Sequence, residues 1–185
     1  MVSDIDRIDG LRILIVDDEP DILQTLEDLL PRCVLTKATT FEEGKEYLET
    51  KEFDLAILDI MGVNGLKLLT ETVERGIPTV MLTAHAINPD TLMESIRKGA
   101  ISYLPKEALT DLDNLLEQLL AAHEQGDPPW KLLFEKLGEY FNDRFGPDWR
   151  EKDKEFWTEF SRTYQVGKGI QERLKHDERI LGKGV

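Results

Sequence analysis

Five short apolar runs, each too short to make a helix, recur through residues 1–125 with amphipathic segments between them. They are Leu11 to Val16, Val34 to Thr36, Leu55 to Leu58, Thr79 to Leu82 and Ile101 to Leu104. Three are almost continuously apolar, as strands buried on both faces must be. Buried strands alternating with single helices specify an α/β chain, a parallel sheet covered on both sides.

The intervening segments carry helix signals. Pro20 suits a first helical turn ahead of Ile22, Leu23, Leu26, Leu29 and Leu30, and Pro31 stops that helix. Thr40 and Glu43 have the spacing of a capping box before Tyr47 and Leu48. The third helix is expected from Gly65 to Arg75 with Gly76 as its cap, the fourth from Pro89 to Gly99, and the fifth from about Leu109 to Glu124. The sum is (βα)5.

After Gln125 the pattern changes. Gly126-Asp127-Pro128-Pro129 is a stop-and-restart signal, which divides the chain into a domain over 1–125 and an extension over 126–185. The first part has 25 acidic and 11 basic residues and the second 12 of each, so the whole net charge of −14 belongs to the first. The aromatic residues are distributed the other way, with 10 of 14, including all three Trp, in the extension. Trp130, Leu133, Phe134, Leu137, Phe141 and Phe145 share one helical face; Trp149, Phe156, Trp157, Phe160 and Tyr164 mark a second helix, and a weaker third spans Ile170 to Leu181. So few residues do not bury so much aromatic surface by themselves. The extension is expected to dock on the first domain, on a second copy or on another protein.

The acidity argues against attachment to nucleic acid or anionic lipid through the overall field. No apolar run approaches the ~20 residues that span a bilayer, and the N-terminus is polar and acidic, so a cytoplasmic protein without a membrane partner is expected. One cysteine, Cys33, forms no intramolecular disulfide and reads as a small buried hydrophobe.

In an open α/β sheet, ligands bind beyond the carboxyl ends of the strands. The residues found there are Asp17 and Asp18 after the first strand, Asp59 after the third, Thr83 after the fourth and Lys106 after the fifth. Three carboxylates at one edge repel one another until a cation neutralises them, and a hard divalent ion such as Mg²⁺ suits oxygen ligands of this kind. A phosphoryl group on Asp59 would complete the set, its oxygens shared by the metal, Lys106 and the Thr83 hydroxyl. An ionised carboxylate has no proton to lose, so it attacks phosphorus without a base.

The segments Leu-Arg-Ile-Leu-Ile-Val-Asp-Asp-Glu-Pro, Leu-Ala-Ile-Leu-Asp-Ile-Met, Val-Met-Leu-Thr-Ala-His and Gly-Ala-Ile-Ser-Tyr-Leu-Pro-Lys resemble, in order and spacing, the four signatures of bacterial response-regulator receiver domains. The resemblance covers roughly residues 9 to 125. It implies the flavodoxin-like strand order 2-1-3-4-5, with Asp59 as phosphoacceptor and Asp17, Asp18, Asp59 and the Met61 carbonyl around Mg²⁺. It also implies that Thr83 and Lys106 contact the phosphoryl group and that Tyr103 turns inward when Thr83 moves. His85, two residues after Thr83, is expected to tune the lifetime of the phosphoryl group; His123 and His176 are expected on solvated helix faces.

The chain departs from the family pattern in three places. Asp59 to Gly65 is six residues where receivers commonly have eight, so Gly62 and Asn64 imply a tighter loop. Pro105 precedes Lys106, where many receivers have Lys-Pro with a cis bond. Ile101-Ser102 replaces acidic residues that pair across a dimer interface in one subgroup, so that dimer mode is not implied. The expected function is that of a response regulator in a two-component phosphorelay, a signalling phosphoacceptor and not an enzyme. Its expected partners are a histidine kinase or phosphotransfer protein and a downstream protein or second copy. A DNA-binding regulator using the extension as an output domain is the alternative, disfavoured by the extension's zero charge balance.

Overall fold

The computed structural model describes residues 7–84 and 89–127, with residues 132, 139, 142 and 143. Five strands, β1 (Arg12–Val16), β2 (Val34–Ala38), β3 (Leu55–Asp59), β4 (Thr79–Thr83) and β5 (Ser102–Pro105), alternate with α1 (Pro20–Leu29), α2 (Phe41–Thr50), α3 (Gly65–Glu74), α4 (Pro89–Lys98) and α5 (Leu112–Gln125). All pairings are parallel and the order is β2-β1-β3-β4-β5. This is the flavodoxin-like (βα)5 fold that the apolar runs and the resemblance imply. Apart from residues 132, 139, 142 and 143, the helices expected within 126–185 lie outside the described residues, as do His85 and His176.

The apolar runs became buried strands for the reason given: β3 and β4 are buried at every position, β1 at all but Arg12. The sheet edge β2 is half-exposed, and Val34 is among the exposed large hydrophobics. The other edge, β5, is buried at all four positions.

Helix ends follow local chemistry. At α2 the Thr40 hydroxyl accepts the Glu43 N–H at 3.2 Å, and the Glu43 carboxylate reaches back one residue further than a capping box requires, to the Thr39 N–H at 2.8 Å. Loss of the first bond in Thr40→Ala should lower stability by about 1 kcal/mol, read from the urea midpoint with an unchanged slope. At α3, Gly76 (φ 70) donates to the Val73 carbonyl and Ile77 to Thr72, the two bonds of a Schellman cap. Helix α5 begins at Leu112, later than expected, because a 3-10 turn over Lys106–Ala108 and a left-handed Asp111 (φ 66) precede it.

Two packing features have no periodic signal. Ile8 is 1% exposed and donates its N–H to the Glu117 carboxylate on α5 at 3.1 Å, so the segment before β1 belongs to the core. Cys33 is half-buried and donates its thiol to the Ile8 carbonyl at 3.3 Å.

The register sets the site. Val16 pairs with Leu58, Asp59 with Leu82 and Thr83 with Pro105, so Asp17, Asp59, Thr83 and Lys106 emerge together at the carboxyl edge.

Candidate functional site

At that edge the residue after β1, Asp17, is fully buried, and Asp59 is 3% exposed. The Lys106 ammonium lies between them, 2.7 Å from Asp17 Oδ2 and 3.2 Å from Asp59 Oδ1. Its remaining partner is Glu19 Oε1 at 2.7 Å. Asp17 Oδ1 accepts the Glu19 N–H at 2.9 Å, turning the chain from β1 into α1, where Pro20 opens the helix. Asp17 Oδ2 is buried, and its polar contact among the described residues is the Lys106 ammonium, which leaves a second lone pair unused.

These contacts perturb all three groups. Burial first, and the charge of Asp17 second, push Asp59 up to about 6, against the attraction of Lys106. Burial also raises Asp17, with the Lys106 bond opposing it. Burial pulls Lys106 down, but its bonds to Asp17 and Glu19 and the charges of Asp59 and Asp17 prevail and hold it above the ordinary lysine value. Carboxylates thus outnumber the one ammonium that offsets them. Asp17, Asp18 and Glu19 each place a carboxylate oxygen within 4.8 Å of the others. Hard oxygen donors in excess of positive charge, one of them buried with an unsatisfied lone pair, fit a small divalent cation such as Mg²⁺.

The short loop after β3 wraps this cluster. The Met61 carbonyl accepts the Val63 N–H at 2.5 Å across Gly62, whose φ is 67, a three-residue turn. A Cβ on Gly62 would lie 2.5 Å from the Asp18 carboxyl carbon and both of its oxygens, so the loop backbone rests against Asp18. Asn64 takes a left-handed φ of 53 to start α3. The next residue, Gly65, comes so close to β3 that a Cβ there would stand 1.9 Å from the Asp59 carbonyl oxygen. The two residues missing from the usual length are absorbed by one tight turn and one close approach. The Met61 side chain is exposed.

On the other flank Thr83 ends β4, 7% exposed, and Tyr103 of β5 is 1% exposed. The Tyr103 hydroxyl shares hydrogen bonds with the Thr83 and Thr91 side chains, and burial raises its pKa.

Of the residues expected from the sequence, Asp17, Asp59 and Lys106 meet directly, Asp18 lies beside Asp17 and against the loop of Met61, and Tyr103 touches Thr83. The expected set lacked Glu19. It stands in the Asp-Asp-Glu-Pro segment, but its partner Lys106 is 87 residues away, and no local spacing records that. His123 is exposed on α5 as expected.

Comparison with known proteins shows the family and the fold. The response regulator receiver domain model matches residues 13–120, more than half of the chain. The chain belongs to the response regulator receiver family. Receivers are signalling phosphoacceptors and not classical enzymes. A receiver domain protein (CheY-like) from Methanospirillum hungatei is 29% identical, with a TM-score of 0.54 over 63% of this chain and 99% of that one. A two-component response regulator from Clostridium difficile, 23% identical with a TM-score of 0.55 over 60% of this chain and 97% of that one, shares the fold. A two-component response regulator of Arabidopsis thaliana is 39% identical over 113 residues, 57% of this chain and 18% of that protein. The receiver is thus a small part of that relative. No helix among the described residues is long and apolar enough to cross a membrane.

Proposed function

We propose that the chain is a response regulator of a two-component phosphorelay, with Asp59 accepting a phosphoryl group from the phosphohistidine of a sensor kinase or phosphotransfer protein. The observation that carries this reading is the buried Asp59 held 3.2 Å from Lys106 beside a second buried carboxylate, Asp17. An Asp59 carboxylate oxygen attacks phosphorus; the phosphorus–nitrogen bond breaks and its electron pair stays on the imidazole nitrogen. Asp17, Asp18 and Asp59 with the Met61 carbonyl would hold Mg²⁺, which supplies positive charge to the phosphoryl oxygens. Lys106 provides the opposing cation, and the Thr83 hydroxyl a hydrogen bond. Tyr103 lies beside both Thr83 and Thr91, so movement of Thr83 toward the phosphoryl group alters the packing of α4 in this reading. The acyl phosphate shifts a two-state equilibrium only as far as these contacts favour one state.

The output surface in this reading is α4, β5 and α5. Helix α5 leads directly into residues 126–185, a separate aromatic extension that switches docking, self-association or binding of a downstream protein. Every Trp lies in that extension, so its fluorescence reports the coupling. Incubation with Mg²⁺ and acetyl phosphate should add one phosphoryl group by intact mass and change the Trp emission or the sedimentation profile. Neither change should occur in Asp59→Asn. Full phosphorylation with both signals unchanged would contradict the coupling, and no adduct at all would contradict the phosphoacceptor itself.

A further inference from the structure

The third partner of Lys106 has no part in the chemistry above. Glu19 Oε1 is 2.7 Å from the ammonium, nearer than Asp59 Oδ1 at 3.2 Å. Its side chain is 55% exposed where those of Asp17 and Asp59 are 0% and 4%. Of the three carboxylates on Lys106, it alone can swing into water without leaving a buried charge unpaired. Its backbone is fixed: the N–H is bonded to Asp17 Oδ1, and the carbonyl accepts from Ile22 and Leu23 at the start of α1. A carboxylate at a helix N-terminus is drawn to the free N–H groups there, yet Glu19 makes no side-chain cap bond and reaches Lys106 instead.

We infer that Glu19 is a positioning residue that competes with the incoming phosphoryl group for Lys106 and so restrains the rate at which Asp59 is phosphorylated. This rests on the phosphoacceptor reading. A phosphoryl donor brings negative charge to the same ammonium. It must displace Glu19, and until it does, Lys106 is shared with a carboxylate that takes no part in the transfer. A pair with one partner half in water is weak, so the restraint is modest, about two- to fivefold in rate.

The test measures the rate of adduct formation from acetyl phosphate and Mg²⁺, a reaction in which the phosphorus–oxygen bond to acetate breaks, the Asp59 oxygen–phosphorus bond forms and acetate leaves. Glu19→Gln removes the charge; Glu19→Asp keeps it but shortens the reach. Both should be phosphorylated about two- to fivefold faster than the wild type, and neither substitution should accelerate a Lys106→Ala protein, since the pair is already gone. Unchanged rates in both variants would overturn the inference, as would a gain that survives Lys106→Ala. A gain in Glu19→Gln alone would make the effect one of field and overturn the ion-pair account. Slower phosphorylation with weaker Mg²⁺ binding, titrated without donor, would make Glu19 a metal ligand and also overturn it. A wild type that takes no phosphoryl group would bring down the phosphoacceptor reading first and this inference with it, whereas a phosphorylated wild type matched by both variants removes the inference alone.

Discussion

Gly65→Ala should lose stability and nearly all phosphoacceptor activity together, although glycine to alanine in a helix ordinarily gains about 0.5–1 kcal/mol. The added Cβ would meet the Asp59 carbonyl oxygen at 1.9 Å, the Asp59 carbonyl carbon at 2.7 Å and Ile60 Cα at 3.1 Å. All three are backbone atoms, two of them in the last residue of a strand buried at every position and the third in the residue after it, so no flexible side chain can yield. Either α3 or the end of β3 must move. Overpacking of this kind costs about 1–3 kcal/mol or more, which exceeds the helical gain. The atom pushed carries the phosphoacceptor, and a displacement near 1 Å at a reacting group costs roughly 100-fold in rate. Urea unfolding and the rate of adduct formation from acetyl phosphate measure the two effects. Gly62→Ala is the contrast. Its φ of 67 and the Asp18 carboxyl 2.5 Å away also oppose a side chain, but Asp18 is exposed and can turn aside. That variant should keep most of its stability while weakening Mg²⁺ binding. Wild-type behaviour in Gly65→Ala would mean that α3 does not press on the phosphoacceptor strand.

Asp59→Asn should be more stable than the wild type at pH 7.5 in the absence of divalent cations, by roughly 1–3 kcal/mol. Burial and the neighbouring Asp17 raise Asp59 from its ordinary 3.8 to about 6, so the folded state holds this proton more tightly than the unfolded state does. The stabilisation that a protonated Asp59 contributes is complete below about 3.8 and is lost as the pH rises through about 6. At neutral pH the ionised carboxylate works against folding. Asparagine is neutral at every pH, so its advantage should be full at pH 7.5, shrink from about pH 6 downward and vanish near pH 4. Denaturant unfolding across that range reads it directly. Equal stabilities at pH 7.5 would mean that Lys106 fully compensates the buried charge. A divalent cation that binds the folded wild type should narrow the gap by stabilising it.

Much of this was legible in the sequence, for identifiable reasons. Buried parallel strands must be apolar on both faces, so β1, β3, β4 and β5 announce themselves and their last residues fall at the ligand edge. Gly76 and Gly99 stand where helices end because a left-handed cap requires them; both have positive φ. What escaped was set by distance along the chain. Ile8 joins the core through α5, Arg12 ties β1 to Glu52 and Asp54 at 3.0 Å and 2.9 Å, and Glu19 finds Lys106. Each of these depends on a contact between elements that no periodicity encodes. The loop from Asp59 to Gly65 is an intermediate case: its shortness was visible, and its shape needed the approach of Gly65 to the Asp59 carbonyl. Helix α5 starts three residues after Leu109, because Leu109, though buried, follows the 3-10 turn and does not open the helix.

The central claim is that Asp59, among several acids crowded at one sheet edge, receives the phosphoryl group. Borohydride reduces an aspartyl phosphate to homoserine, which marks the residue permanently. The protein should therefore be treated with Mg²⁺ and acetyl phosphate, reduced, digested and mapped by mass spectrometry. Homoserine at position 59, absent without donor, is the predicted result; homoserine at position 17 or 18, or at neither of these nor 59, would contradict it.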